Sequence, residues 1–311
     1  MKGISVGQAE IYGQTTRGQL RKGLRTLGLI LLLTLAGCAQ SEVAATPPPV
    51  TITIAGSTAM TPVLTALTGE FNHRHPQAIF SLRGGGSTLG EQWAAAGQVD
   101  LAASNLLPPE MIPDTDPPTP VQAKVVRVPM GVDGVAIIVH PRNDVAVLTL
   151  LQLRDLFSGH LLSWKDVGSD LKSDDGVLLI SREDGSGTRL FFEEQVMGDE
   201  RVALTAVVMP TSQDVVAYVA DHPQAIGYVS AAWLRDSRGD LLTDPDAPVR
   251  IVPVEGQLPT LDNLRQQRYH LAHPIFLVSR AEPTGWVKQF VDFTLSPAGQ
   301  QIVAKFHAPI R

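Results

Sequence analysis

The sequence predicts an α/β protein built from two lobes with a cleft between them. Apolar, β-branched runs alternate with segments of helical periodicity from position 50 onward, which is typical of a parallel or mixed sheet covered by helices on both faces. The β-rich stretch 124–140 is longer than an ordinary strand and contains two glycines, so we expect it to pass between two lobes. A chain of 311 residues is long enough for two domains.

The first half of the chain alternates predicted strands and helices. β-Branched residues alternate over 50–54 and predict a strand that ends at the Ala-Gly-Ser-Thr run 55–58. Apolar residues then recur at helical spacing over 60–71. The same signals predict a strand at 78–82, a glycine-rich loop at 83–87, a helix at 88–97, a strand at 99–103 and, over six prolines, an irregular surface segment at 107–120.

The second half continues this alternation. A helix predicted over 188–197 has Leu190, Phe191 and Val196 on its inner face and ends at Gly198. The other predicted elements are helices at 148–157, 215–220 and 286–295, and strands at 177–180, 225–229, 249–254 and 275–278.

The N-terminal segment carries a targeting signal. Four basic residues between positions 17 and 25 precede an apolar run at 27–36, which is shorter than the ~20 residues that span a bilayer. We therefore predict a secretory signal over 1–37. Cys38 follows directly, and positions 35–38 resemble the bacterial lipobox, in which the cysteine is lipidated; an ordinary signal with an unmodified cysteine is the alternative. The small, proline-ended segment 38–49 is predicted to be a tether.

Composition excludes several classes of protein. With 44% hydrophobic and 18% charged residues the chain can bury a core. A net charge of −6 and few aromatic residues argue against a nucleic-acid surface. The single cysteine excludes a disulfide framework and a cysteine zinc cluster. His73 and His75 point apart at helical spacing, so we expect no metal and no cofactor.

Three predicted strand-to-helix turns share one design. Glycine is followed by serine or threonine at 56–58, 86–88 and 185–188. Helix starts expose unpaired N–H groups, glycine allows close approach of the backbone, and a hydroxyl adds a donor, so such turns suit a small oxyanion. Each turn alone is better explained by an ordinary N-cap, but three such turns in one chain favour a ligand site. The loop 181–188, which includes the third turn, also contains Arg182 and Asp184. Arg182 could bind an oxyanion through two N–H groups, and Asp184 could hold that guanidinium; a surface ion pair is the alternative.

The run 181–188 resembles the phosphate-binding loop of the periplasmic phosphate-binding proteins that serve ABC importers. Positions 55–58, 83–90, 99–104, 148–167, 226–229 and 296–300 are similar to that family as well. The resemblance implies a type II periplasmic binding protein fold with a hinge of two crossings. Lobe one would comprise 48–133 with 255–311, and lobe two 134–254.

The resemblance also implies which residues bind the ligand. In lobe two, Asp184 would orient Arg182. In lobe one, Asn105 stands where well-studied members carry an aspartate that accepts the proton of the ligand. The donors implied are Ser57, Thr58, the backbone of Ala59, and Ser87 from lobe one, and Arg182, Ser186, Gly187 and Thr188 from lobe two.

The function implied is capture of inorganic phosphate on the extracytoplasmic side, by a monomer anchored to the membrane through Cys38, for the permease of an ABC importer. Three alternatives stay open at this point. The ligand could be another tetrahedral oxyanion such as sulfate, or the protein could be a sensor or scaffold. It could also be a phosphate-ester hydrolase with Ser57 or Ser87 as nucleophile, although no general base lies near either serine in the sequence.

Overall fold

One mixed sheet runs through the part of the chain that this computed structural model describes, residues 48–108, 125–171 and 176–310. The strands follow the order β2-β1-β3-β9-β4-β7-β5-β6, with β8 and β10 pairing with β4. Their bounds are β1 Val50–Gly56, β2 Ala78–Arg83, β3 Leu101–Ser104, β4 Val126–Val139, β5 Leu178–Arg182, β6 Val207–Met209, β7 Ala225–Ser230, β8 Arg250–Val252, β9 Ala272–Ser279 and β10 Ala308–Pro309.

Helices cover both faces of this sheet. Glycine or a Ser/Thr N-cap precedes most of them, as expected for short strand-to-helix connections. The helices are α1 Thr61–Arg74, α2 Gly86–Ala95, α3 Leu150–Ser158, α4 Gly187–Phe192, α5 Ser212–Asp221, α6 Leu261–Arg265, α7 Gly285–Leu295 and α8 Pro297–Val303, with 3₁₀ turns at Thr58–Met60, Trp164–Val167 and Ala231–Leu234 and a π turn at Glu193–Met197.

Strand β4 is shared by two groups of strands. The first group is β1, β2, β3, β9 and β10, and the second is β5, β6, β7 and β8. Val126 to Gly134 pair antiparallel with β9, and Val135 to Val139 pair antiparallel with β7. A long strand was predicted at 124–140, and the structure confirms it. From Pro48 onward the chain forms one unit, and the lobe boundaries after 133 and before 255 stay a prediction.

Separate apolar clusters support the two groups of strands. Beside β1 and β9, Phe71 packs edge-on against Phe290, with ring centroids 5.5 Å apart. Beside β5 and β7, Phe192 stacks on Tyr228 with centroids 4.1 Å apart. These four aromatic side chains therefore lie in the interior, where each buries a large apolar area.

A close contact between α2 and β1 places the end of β1. A Cβ on Gly90 would lie 2.6 Å from the Cα of Gly56, so only glycine permits this packing distance. Gly56 itself has φ +129°, a conformation that L side chains rarely adopt. The two glycines fix where the chain leaves β1 and enters the first Ser-Thr turn.

Some elements differ from the sequence predictions. The helix predicted over 188–197 is the short α4 followed by a π turn, and Leu190 is 42% exposed rather than inward. Stacking of Phe192 on Tyr228 fixes the rotation of α4 and leaves Leu190 outside. The helix predicted over 215–220 begins earlier, at Ser212. The short elements β6, α6, α8 and β10 carry too few periodic residues to be predicted.

Several predictions fall on residues that the structure does not describe. These are the signal over 1–37, the lipidation of Cys38, the tether up to position 47 and most of the irregular segment 107–120. Among the described helices, none combines the length and the apolar character needed to cross a bilayer.

Candidate oxyanion site

The carboxyl ends of three strands meet at one point. Strand β1 is followed by Ser57 and Thr58, β3 by Asn105, and β5 ends at Arg182. Carboxyl ends of strands in open α/β sheets are where such folds commonly bind ligands. The first turn of α2 adds Ser87 to the same cluster.

Asn105 is the centre of this cluster and is fully buried. Its Oδ1 accepts hydrogen bonds from Ser57 Oγ at 3.0 Å and from Ser87 Oγ at 2.6 Å. Its Nδ2 donates to Thr188 Oγ1 at 3.1 Å. The amide therefore links the loops after β1 and β3 to helix α4, and both of its polar atoms are used.

Arg182 forms a second link between the two groups of strands. Its guanidinium is almost wholly buried and donates from Nη1 to Ser212 Oγ at 2.9 Å and from Nη2 to Thr58 Oγ1 at 3.1 Å. The carboxylate of Glu183 accepts from Nε at 2.8 Å and from Nη2 at 2.9 Å. Glu183 therefore holds the guanidinium through two bonds, a geometry that fixes its plane.

The role expected for Asp184 is wrong. Its side chain is 96% exposed, and its carboxylate accepts from Arg189 Nη1 at 2.7 Å rather than from Arg182. Gly185, with φ +81°, turns the chain just after Asp184. The longer side chain of Glu183 pairs with the Arg182 guanidinium instead.

The hydroxyls of the three predicted turns have different hydrogen-bond partners. Ser186 Oγ accepts from Arg189 N at 3.4 Å and so caps α4, as the N-cap alternative expects. Ser57 also precedes a helical turn, but its hydroxyl makes no capping bond and donates to Asn105 instead. Ser87 and Thr188 likewise contact Asn105. Three of these hydroxyls therefore bond Asn105, and a fourth, Thr58 Oγ1, accepts from Arg182.

Gly187 lies at a close contact within the cluster. A Cβ at this position would be 2.3 Å from Asn105 Oδ1 and 2.6 Å from Ser87 Oγ. The absence of a side chain thus lets α4 approach the opposite loops. Ala59, predicted to donate through its backbone, is fully buried in the turn Thr58–Met60.

Three residues of the cluster were missed by the sequence analysis. Ser212 contacts both Arg182 and Thr58, Glu183 pairs with Arg182, and Trp233 Nε1 donates to the carbonyl of Thr58 at 3.0 Å. Ser212 opens α5 directly after β6, so it lies in a fourth strand-to-helix turn. That turn lacks glycine, and β6 is too short to be recognised, which hid the pattern.

The arrangement can bind an oxyanion without using net charge. Hydroxyl, amide and guanidinium N–H groups converge from both groups of strands, while Glu183 balances the charge of Arg182. Among the described residues no group of three or more His, Cys, Asp or Glu side chains could hold a metal ion. The chemistry offered is hydrogen bonding to a small acceptor-rich ligand.

Comparison with known proteins identifies the family of this chain. The family model of the PBP superfamily domain matches residues 42–298. The chain belongs to the PBP superfamily. Both the predicted type II periplasmic binding protein fold and the resemblance to phosphate-binding proteins are confirmed.

Relatives of this PBP-superfamily chain include two curated phosphate-binding proteins, both called PstS. The one from Bacillus subtilis (strain 168) is 27% identical over 246 residues, covering 79% of this chain and 75% of the relative. The one from Staphylococcus epidermidis (strain RP62A) is 27% identical over 252 residues, covering 79% of this chain and 74% of the relative. These relatives are binding proteins.

Two solved structures show the same similarity. A Clostridium perfringens protein assigned as a phosphate ABC transporter substrate-binding protein, with bound phosphate, superposes with a TM-score of 0.73 at 29% identity, covering 84% of this chain and all of that one. An ABC-type phosphate transport receptor from Vibrio cholerae gives a TM-score of 0.61 at 27% identity, covering 82% and 98%.

Proposed function

We propose that this protein captures inorganic phosphate and delivers it to the permease of an ABC importer. The observation that carries the proposal is the buried cluster in which Asn105 and Arg182 each link the two groups of strands. Relatives named as phosphate-binding proteins, and a structure at 29% identity that holds phosphate, support the choice of ligand.

The bound anion would replace contacts that these groups now make with each other. An anion held between Arg182 and Thr58 would accept from both groups. Ser57, Ser87 and Thr188 would supply hydroxyl donors from the remaining directions, and such charge-assisted hydrogen bonds are the strong ones. The two proposed lobes, 48–133 with 255–311 and 134–254, would thus close on the ligand.

Binding rather than catalysis is the role that the serine contacts support. Ser57 Oγ and Ser87 Oγ both donate to the amide oxygen of Asn105, at 3.0 and 2.6 Å. An amide oxygen is not a general base at neutral pH, so neither hydroxyl has a partner that could activate it as a nucleophile. The protein is therefore proposed to perform no reaction and to need no cofactor.

The place of action proposed is the extracytoplasmic side of the cell envelope. The signal-like segment 1–37 and the lipobox-like positions 35–38 support export and lipidation of Cys38. The tether over 38–49 would hold a monomeric binding protein near its permease.

Isothermal titration of the purified protein with phosphate and with sulfate at pH 7.5 tests the proposal. We expect saturable 1:1 binding of phosphate and no release of p-nitrophenol from p-nitrophenyl phosphate over hours. Absence of phosphate binding, with binding of sulfate alone, would show that the ligand is a different oxyanion. Steady hydrolysis that is lost in Ser57→Ala or Ser87→Ala would overturn the assignment as a binding protein.

A further inference from the structure

A buried ion pair lies near the candidate site, and its side chains make no hydrogen bond to the groups expected to bind the anion. Glu91 of α2 is 2% exposed and forms an ion pair with Arg127 of β4, whose side chain is 11% exposed. Burying two charges is costly, and an apolar pair of similar volume is often as stable or more so. The Nε of Arg127 is also buried without a hydrogen-bond partner among the described residues. The pair therefore needs an explanation other than stability.

Ser104 connects this pair to the site. Its Oγ donates to Glu91 Oε1 at 2.5 Å and accepts from the backbone N of Leu106 at 3.2 Å. The bond from Leu106 N closes a turn around Asn105, the centre of the oxyanion cluster. The backbone on both sides of Asn105 is thus fixed by one hydroxyl, and that hydroxyl is fixed by Glu91.

Helix α2 holds the same turn at a second point. Ser87 and Glu91 are four residues apart and so lie on the same face of α2. Ser87 donates to the side chain of Asn105 at 2.6 Å, while Glu91 accepts from the neighbouring Ser104. Arg127, from β4, in turn holds the other oxygen of Glu91. The turn after β3 is therefore held by two side chains of α2, and one of these is held in turn by β4.

We propose that the Glu91–Arg127 pair, acting through Ser104, positions Asn105 in the oxyanion site. The inference rests on the proposed function, because its readout is anion binding. Glu91 is a positioning residue: its carboxylate bonds Ser104 rather than the groups expected to touch the anion. With the turn released, the amide of Asn105 would be free to rotate, so oxygen and nitrogen could exchange their directions.

A double-mutant cycle distinguishes positioning from general support of the fold. Ser104→Ala removes the connecting hydroxyl and leaves the ion pair in place. We expect it to weaken phosphate binding about tenfold, as for loss of a charge-assisted hydrogen bond, but less than about twofold when Asn105→Ala is already present. Equal losses in both backgrounds, or no loss in either, would overturn the proposal.

A second variant and a selectivity measurement test the proposal even if Ser104→Ala does not fold. Glu91→Leu with Arg127→Met replaces the pair by apolar groups and should keep the melting temperature while weakening phosphate binding about tenfold. The phosphate-to-sulfate affinity ratio should move toward one in this variant and in Ser104→Ala, because a rotating amide discriminates less between donors and acceptors. An unchanged ratio in both variants would contradict the proposal.

Glu70→Gln is the matched control. Glu70 pairs with Arg74 on the exposed face of α1. Neither the phosphate affinity nor the phosphate-to-sulfate affinity ratio should therefore change. Failure of the unmodified protein to bind phosphate would count against the proposed function itself. Binding by the unmodified protein with an additive cycle would count against the positioning role alone.

Discussion

Arg182 donates from Nη2 to Thr58 Oγ1 over 3.1 Å, although the two residues are 124 positions apart in the chain. Arg182 ends β5 and Thr58 follows β1, so the bond joins the two groups of strands that share β4. An anion that accepts hydrogen bonds from both side chains would lie between them. Closure and binding would therefore use the same atoms.

Arg182→Ala should weaken phosphate binding by more than tenfold. The guanidinium is almost wholly buried, and a charged hydrogen bond contributes about 1.5–3 kcal/mol. Removing it also leaves the Glu183 carboxylate without its partner beside the anion. Calorimetric titration measures the effect.

Asp184→Asn is the matched control for this variant, because Asp184 is exposed and bonds Arg189 instead. Its phosphate affinity should stay within twofold of the unmodified protein. An affinity in Arg182→Ala that also stays within twofold would refute the assignment of the site.

Gly187→Ala should weaken phosphate binding about tenfold or more with little change in melting temperature. The added methyl would lie 2.3 Å from Asn105 Oδ1 and 2.6 Å from Ser87 Oγ, so the loops could not approach as closely. Gly69→Ala, on α1 with open space around its Cβ, is the control and should bind normally. Titration together with small-angle scattering checks both; normal affinity in Gly187→Ala would show that this contact is not needed for binding.

Asn105→Asp should sharpen discrimination against sulfate. An ionised carboxylate only accepts hydrogen bonds, so it requires a protonated ligand oxygen, which phosphate carries at neutral pH and sulfate does not. Sulfate affinity should fall relative to phosphate by an amount typical of an unmatched buried polar contact, ~1–3 kcal/mol. The ratio of the two dissociation constants, measured in both forms at pH 7, gives the answer. If the substitution leaves that ratio unaltered, Asn105 does not read the proton of the ligand.

The free energy of unfolding should decrease as the pH falls below 6.5. Burial lowers the pKa of His273 below its ordinary 6.5, although attraction to Asp133 opposes this shift. The unfolded chain then binds more protons than the folded one. This lowers the free energy of unfolding by up to about 1.4 kcal/mol for each pH unit below 6.5.

Asp133 should affect the pH dependence of the free energy of unfolding only at lower pH. Burial alone would raise the pKa of Asp133, but attraction to His307, its hydrogen bond and attraction to His273 together hold the pKa below 3.8. Its contribution is present above that pH and is lost as the pH falls further.

Urea unfolding at pH 7.5 and pH 5.0 measures the effect of His273. His273→Asn should reduce the difference in free energy between the two pH values, whereas His270→Asn, at an exposed position, should leave it unchanged. The same pH dependence in His273→Asn and in the unmodified protein would refute the attribution to His273.

The sequence predicts the architecture and most of the cluster, because both depend on local patterns. Period-two and helical spacing locate β1, β4 and α1, and three Gly-Ser/Thr turns identify Ser57, Ser87 and Thr188. These signals lie within a few residues of each other, so they are visible without the fold.

What the sequence does not predict depends on contacts between distant residues. Glu183 and Asp184 are both within reach of Arg182 along the chain, and only the turn at Gly185 decides which of them pairs with it. Ser212 enters the cluster because α5 begins directly behind a three-residue strand. The link from Arg127 through Glu91 to Ser104 joins β4, α2 and β3, which no local pattern reveals.

A crystal structure of this protein grown with phosphate at pH 7.5 tests the central claim most directly. We expect one tetrahedral anion within hydrogen-bonding distance of Arg182, Asn105 and Thr58, with Ser57, Ser87 and Thr188 turned toward it. Phosphate bound elsewhere, with the Arg182–Thr58 and Asn105–Thr188 bonds intact, would contradict the claim that this cluster is the anion site.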